Sequence, residues 1–208
     1  MPRSKVATLD QALAKCHDGM TVMLGGFTNV GSPNKFCRAL ADTGIKDLHI
    51  IANDAGNDKA DGIGTFIVEG RASSLVASHV GLNPKVAEQM NAGTLAERIR
   101  CGGCGLGGVL TPTGVGTIVA EGKQEIVVDG KTYLLETPLR AEVAIVKAWK
   151  ADTSGNLVYR RAGKNFNPMM AMAADFVIAE VEEIVEVGQI DPDQVCTPGA
   201  CVDMVVQL

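Results

Sequence analysis

Residues 20–24 (MTVML) run into Gly25, Gly26, Phe27, Thr28, Asn29, Val30 and Gly31, and these into Ser32-Pro33. This order constrains the chain more than any other feature. Five apolar residues make a strand, glycines free the backbone, and Ser as N-cap with Pro at the first helical position opens a helix. Gly44 stops that helix, and a second apolar run, 48–52 (LHIIA), ends at Asn53-Asp54-Ala55-Gly56. Strand, glycine loop, helix, strand is the unit of a parallel α/β sheet, because parallel neighbours need a crossover between them.

The rest of the chain extends the pattern. Upstream, Thr8 and Gln11 have capping-box spacing, Leu9, Ala12, Leu13 and Cys16 share one helical face, and Gly19 closes the helix. Further strand-like runs lie at 75–78, 142–147 and 175–181, with helical patterns at 84–91, 94–100 and 168–174. Residues 125–136 (EIVVDGKTYLLE) read as a hairpin with a type I′ turn at Asp129-Gly130. The expected fold is α/β: a mixed, mostly parallel open sheet with helices on both faces and a β-hairpin. Residues 101–117 (CGGCGLGGVLTPTGVGT) interleave glycine with Leu, Val and Pro, so they read as an ordered loop, unlike a Gly/Ser linker. With no repeat or boundary in view, residues 1–208 form one expected domain.

Composition excludes several functions. With 19 basic against 24 acidic residues the net charge is −5, so the chain lacks the basic face of a general nucleic-acid or membrane-surface binder. No apolar run approaches the ~18 residues of a membrane span, and the first residues lack a signal peptide's apolar centre, so a cytoplasmic protein is expected. Six cysteines (16, 37, 101, 104, 196, 201) and three histidines (17, 49, 79) show no metal-ligand spacing beyond Cys101-Gly-Gly-Cys104, and reduced core or loop thiols are expected.

Two places can carry chemistry. The glycine loop before a helix start can hold a phosphate or carboxylate on backbone N–H groups, or can be a tight turn into a packed helix. It is neither a Walker A loop nor G-x-G-x-x-G. Asn53 stands at the carboxyl end of the second strand, the edge where open α/β sheets bind ligands. Its amide can donate to a developing oxyanion, or Asn53-Asp54 can be a plain turn. Asn167 before Pro168 reads as a helix cap, Met169, Met170 and Met172 as core, and Glu182, Glu183 and Glu186 as a solvated face. No set of nucleophile and base stands in order, so the chain reads as half of an active site.

Seven ordered motifs, among them GGFTNVGSP at 25–33, IANDAG at 51–56, ASHVGLNP at 77–84, GTLAERIRCGGCGLGG at 93–108 and KNFNP at 164–168, span nearly the whole chain. Together they resemble the α subunit of family I coenzyme A transferases, and within these the acetate, butyrate and acetoacetate enzymes. The resemblance implies that CoA passes between an acyl-CoA and a free carboxylate through a glutamyl-CoA thioester. It places the glutamate on a β subunit, so this chain alone is expected to be inactive and to work in a hetero-oligomer, α2β2 or larger. It assigns Gly25, Gly26, Phe27, Thr28, Asn29, Val30 and Gly31 to CoA binding and Asn53 to oxyanion support, puts residues 102–108 at the same interface, and implies no permanent cofactor and no metal. Alternatives are a succinyl-CoA:3-oxoacid or 3-oxoadipate enzyme, a non-catalytic anion-binding module, or a sugar-phosphate isomerase of similar topology. The family also carries about nine further residues, a strand's length, between positions matching Ala92 and Gly93. Either that strand is lost or the sequence closes over residues it does not show, and the second is expected here.

Overall fold

The computed structural model describes residues 3–57, 59, 61–79 and 94–208. In chain order the first elements are α1 (Leu9–Leu13), β1 (Thr21–Leu24), α2 (Asn34–Asp42), β2 (Leu48–Ala52), α3 (Ile63–Val68) and β3 (Ala72–Val76). Next come α4 (Leu95–Cys104), β4 (Val109–Thr111), β5 (Glu125–Val128), β6 (Lys131–Glu136) and β7 (Ala141–Asp152). The chain finishes with β8 (Leu157–Val158), α5 (Asn167–Met172), β9 (Ala174–Val185) and β10 (Met204–Gln207). The helix expected at 84–91 and the Ala92-Gly93 junction lie outside the described residues.

The main sheet has seven strands in the order β10-β9-β7-β1-β2-β3, with β8 paired to β7. Every pairing along this path is parallel, and β8 is antiparallel to β7. The hairpin turns at Asp129 and Gly130 with φ 50° and 75°, the signature of a type I′ turn. It does not join the main sheet as the sequence suggested. Instead β5 and β6 form a separate three-stranded antiparallel sheet with β4.

Successive strand residues point to opposite faces, and each face has its own helices. Val22, Leu24, Ile50 and Ile145 meet Ala12 of α1, Phe36 and Leu40 of α2, and Ile63 and Phe66 of α3. Met23, Ile51, Ala144 and Val146 meet Leu95 and Ile99 of α4 and Met170 of α5. Phe36 and Phe66 are fully buried, each worth roughly 1.5–3 kcal/mol of transfer free energy.

From β1 the chain winds outward through β2 to β3; the later strands wind the other way, through β7 to β9 and β10. The order reverses between β1 and β7, and the crevice beyond their carboxyl ends is where such sheets bind ligands. One wall rises above the other there. Leu24, the last residue of β1, pairs with Ile145, while β7 runs on to Asp152 against β9.

Candidate active site

The residues after β1 form a finger at this switch point. Gly25 N–H donates to the Ile145 carbonyl at 3.0 Å, and Phe27 and Val30 then exchange backbone hydrogen bonds of 3.0 and 2.9 Å. The turn between them has φ 45° at Thr28 and 67° at Asn29. A β-branched residue there is a strained conformation, costing on the order of 1–3 kcal/mol, and it persists only where its surroundings impose it. Three side chains do so. Asp54 Oδ2 accepts Thr28 N–H at 2.7 Å, Asn165 Nδ2 donates to the Val30 carbonyl at 2.8 Å, and Asn167 Nδ2 donates to the Gly31 carbonyl at 3.0 Å. Phe27 and Val30 are left 48% exposed on the finger.

The glycines of the finger are required first by this packing. A Cβ on Gly25 would fall on the Asn167 amide oxygen, and one on Gly26 would fall on the Ser32 hydroxyl. At Gly31, φ 68°, it would lie 2.6 Å from the Gly163 carbonyl. Ser32 was the expected N-cap, yet α2 begins at Asn34 after Pro33, and the buried Ser32 hydroxyl has no partner among the described residues. Glu180 caps the helix instead. Its Oε2 accepts Phe36 N–H at 2.9 Å and its Oε1 accepts from Lys147 Nζ at 3.0 Å, so an internal carboxylate occupies the positive end of the helix. Any anion at the finger must be met by groups other than this helix end. The N–H groups of Gly26, Asn29 and Gly31 donate to no acceptor among the described residues.

Asn53 and Asp54 follow β2 at 3% and 2% exposure. Asn53 Oδ1 accepts from the Ser78 hydroxyl at 2.9 Å, and Nδ2 donates to Asp54 Oδ2 at 3.2 Å. The primary amide carries two N–H bonds, so one remains for a ligand. Two cavities open nearby. One of about 450 Å³ lies between Asn29–Ser32 of the finger and residues 160–163, with Lys147, Trp149 and Glu182 in its walls. Arg160 lies 5.5 Å from the Trp149 ring, and neither Arg160 nor Arg161 has an ion pair among the described residues. The other, about 470 Å³, is lined by Ser78, Thr94, Leu95, Thr113, Gly114, Val119 and Phe166. Ser78 therefore joins this second cavity to Asn53.

Other expected features are resolved differently. Cys101 and Cys104 stand in the last turn of α4, so residues 101–104 are helix and not loop; Gly105 ends it with φ 67° and Leu106 N–H returning to the Cys101 carbonyl at 3.0 Å. Gly102 packs on the Leu139 carbonyl and Gly103 on Met172, which is why neither can carry a side chain. Of residues 102–108, Cys104, Gly105, Leu106 and Gly107 are exposed. All six cysteines are free, and burial pushes the Cys16 thiol up to about 12 and holds Cys37 well above its ordinary value. Among the described residues no group of three or more His, Cys, Asp or Glu side chains is placed to hold a metal ion. Asn167 is no cap: it is the first residue of α5, fully buried, with Lys147 N–H donating to its Oδ1 at 2.9 Å.

The model of one protein family, described as coenzyme A transferase, matches residues 6–208. The chain belongs to the coenzyme A transferase family. It is 48% identical over 214 positions to the alpha chain of the acetate CoA-transferase of Escherichia coli (strain K12), covering 98% of this chain and 97% of that one. Those 214 positions exceed the 208 residues of the chain, so the relative carries positions that this transferase chain lacks. It is also 48% identical to one subunit of the succinyl-CoA:3-ketoacid coenzyme A transferase of Xanthomonas campestris pv. campestris (strain B100), over 91% of this chain and 82% of that one. Among solved structures, an acyl-CoA transferase from E. coli O157:H7 in a thioester complex with CoA superposes with TM-score 0.85 at 20% identity. The match covers 99% of this chain and 47% of that one, so the chain spans about half of that structure and shares its fold.

Of the residues expected in the transferase site, the finger and Asn53 stand at one edge of the sheet, joined through Asp54. Residue patterns alone missed Asp54, Ser78, Asn165 and Glu180 as the groups that set this geometry. The signal that could have found one of them is KNFNP, read in the sequence as a capped helix start; its two asparagines latch the finger instead.

Proposed function

We propose that this chain is the α subunit of a heteromeric CoA-transferase that exchanges CoA between a short-chain acyl-CoA and a free carboxylate, working in the cytoplasm with a β subunit. The observation that carries this reading is the state of the buried carboxylates at the switch point. Asp54 is engaged by the N–H groups of Thr28, Gly56 and Asn53, and Glu180 by Phe36 N–H and Lys147. Neither is available as a nucleophile, while a donor amide and an exposed finger are. In this reading the attacking carboxylate comes from the partner.

In this reading a glutamate of the partner attacks the thioester carbonyl, expelling CoA thiolate and leaving a mixed anhydride. The thiolate then attacks the glutamyl carbonyl, releasing the first carboxylate and forming glutamyl-CoA. The acceptor acid reverses both steps. The spare N–H of Asn53 donates to the oxyanion of each tetrahedral intermediate, an interaction worth on the order of 3 kcal/mol of barrier. The finger supplies N–H donors and the apolar edges of Phe27 and Val30 to the CoA arm, and its strained turn gives a rigid support. Acetate, butyrate and acetoacetate are the proposed acids, in keeping with the fuller coverage of the acetate CoA-transferase chain; the equal identity to the succinyl-CoA:3-ketoacid enzyme keeps that sibling reaction as the second reading.

Mixing the purified chain with its co-encoded partner tests this. CoA transfer from acetoacetyl-CoA or butyryl-CoA to acetate should appear only with both chains present. A stable complex with no transfer to any of these acids, or to succinate, would refute the proposal. Failure to form any complex would favour a non-catalytic ligand-binding module.

A further inference from the structure

Asp54 is buried at 2% exposure, and no lysine or arginine among the described residues pairs with it. An unpaired buried carboxylate is unfavourable unless N–H donors replace its water. Oδ1 accepts Gly56 N–H at 2.8 Å. Oδ2 accepts from both sides of the crevice: Thr28 N–H of the finger at 2.7 Å, and the Asn53 amide at 3.2 Å. Across the amide, Ser78 donates its hydroxyl to Asn53 Oδ1 at 2.9 Å. The carboxylate can only accept, so the amide has one orientation, nitrogen toward Asp54; the Ser78 hydroxyl, which also lies 3.0 Å from the Asn53 backbone carbonyl, meets the amide oxygen on the other side.

We propose that Asp54 is a positioning residue for the transfer reaction: one carboxylate oxygen fixes the strained turn of the finger and the amide of Asn53 together, and Ser78 locks the amide from its other side. This rests on Asn53 being the oxyanion donor. The negative charge has a purpose that a neutral group could not serve. Asparagine in its place keeps the shape, but it presents only one acceptor oxygen: turned toward Gly56 it sets its NH2 against Thr28 N–H and the Asn53 amide, and turned toward those two it sets its NH2 against Gly56 N–H. The first arrangement removes the bias on Asn53 and the bond that offsets the left-handed backbone of Thr28; the second pushes the side chain off Gly56 and loosens its hold on both. The two roles have separable kinetic signatures: misorienting Asn53 slows the chemical step, and loosening the finger weakens the hold on acyl-CoA.

The test is a double-mutant cycle in the assembled complex with the β subunit, using acetoacetyl-CoA and acetate. Asn53→Ala should lower kcat by about 100-fold. Asp54→Asn should lower kcat by about tenfold, less than the ~100-fold that a full 1 Å displacement can cost, and raise KM for acetoacetyl-CoA. In the Asn53→Ala background the kcat effect of Asp54→Asn should disappear while its KM effect remains, a pattern that a general loss of structure would not give. Ser78→Ala, which disturbs no charge, should likewise lower kcat only when Asn53 is present. If Asp54→Asn does not assemble, Thr28→Gly/Asp54→Asn takes its place in the cycle, since glycine accepts the turn unaided. A slow Asn53→Ala beside an Asp54→Asn of wild-type kcat, or effects on kcat that simply multiply, would overturn this proposal alone. Wild-type kcat in Asn53→Ala would overturn it together with the oxyanion reading.

Discussion

Asn167→Ala is the substitution with the widest reach into the site. The side chain is fully buried and serves three backbone groups from three parts of the chain: Lys147 N–H donates to Oδ1 at 2.9 Å, and Nδ2 donates to the carbonyls of Gly31 at 3.0 Å and Gly163 at 2.8 Å. Alanine leaves all of them unpaired. Each buried orphan costs ~1–3 kcal/mol, and with water entering the space left behind the low end applies, about 3 kcal/mol together. For a chain of this size that lowers Tm by roughly 6–12 °C, at 2–4 °C per kcal/mol. The finger also loses its Gly31 anchor, so KM for acyl-CoA should rise. Thermal unfolding followed by circular dichroism and steady-state kinetics, both on the assembled complex, read the two effects. Asn167→Asp sharpens the reasoning, because it keeps the acceptor for Lys147 N–H but sets a carboxylate against two carbonyls; at neutral pH it should be at least as unstable as the alanine variant. A Tm within about 2 °C of wild type for both variants would refute the latch.

Two further outcomes follow from the described geometry. Asp152 is pushed up by burial, but hydrogen bonds from Asn156 and Ser154 outweigh this and hold its carboxyl below the usual range. Its stabilisation is present above the unfolded carboxylate value of ~3.9 and is lost as pH falls through the lower folded value. Asp152→Asn should therefore be less stable by about 1–3 kcal/mol in urea at pH 7, and the gap should close in acid; a gap independent of pH would contradict the account. Among the cysteines, exposed Cys104 should react first with a disulfide reagent at pH 8, and buried Cys37 and Cys101 only on unfolding. Modification of Cys37 at the rate of Cys104, read by peptide mass mapping, would contradict the packing of α2.

Two signals that depend on neighbouring residues alone are present in the structure, although α1 ends at Leu13, short of the stop expected at Gly19. The Thr8 and Gln11 capping box is present, with bonds of 2.9 and 3.2 Å, and Asp129-Gly130 turns its hairpin. Strands such as 48–52, buried at every residue but His49, announced themselves as apolar runs. The ends of β7 and β9, beyond 147 and 181, did not, because there they carry Lys150 and Glu183, whose ion pair across the two strands joins residues 33 positions apart. Ser32 looked like an N-cap because a polar residue before proline usually is one. Glu180, 144 residues from Phe36, supplies the cap instead, and no window along the chain can show it. The glycines of α4 looked like loop for a related reason: their purpose lies with Leu139 and Met172, which only the fold brings close. The site was legible as a place, the finger and Asn53. The side chains that hold it arrive from the residues after β2 and β3, from β9, and from the turn before α5 and that helix's first residue.

The claim that this chain supports the chemistry without carrying the nucleophile can be tested directly by mass spectrometry. The complex is incubated with acetoacetyl-CoA in the absence of acceptor acid, and its peptides are searched for a CoA thioester or its hydrolysis-resistant derivative. The adduct should fall on a glutamate of the partner and on no residue of this chain. An adduct on this chain, with Glu182 at the rim of the cavity beside Trp149 as the accessible carboxylate, would contradict the account.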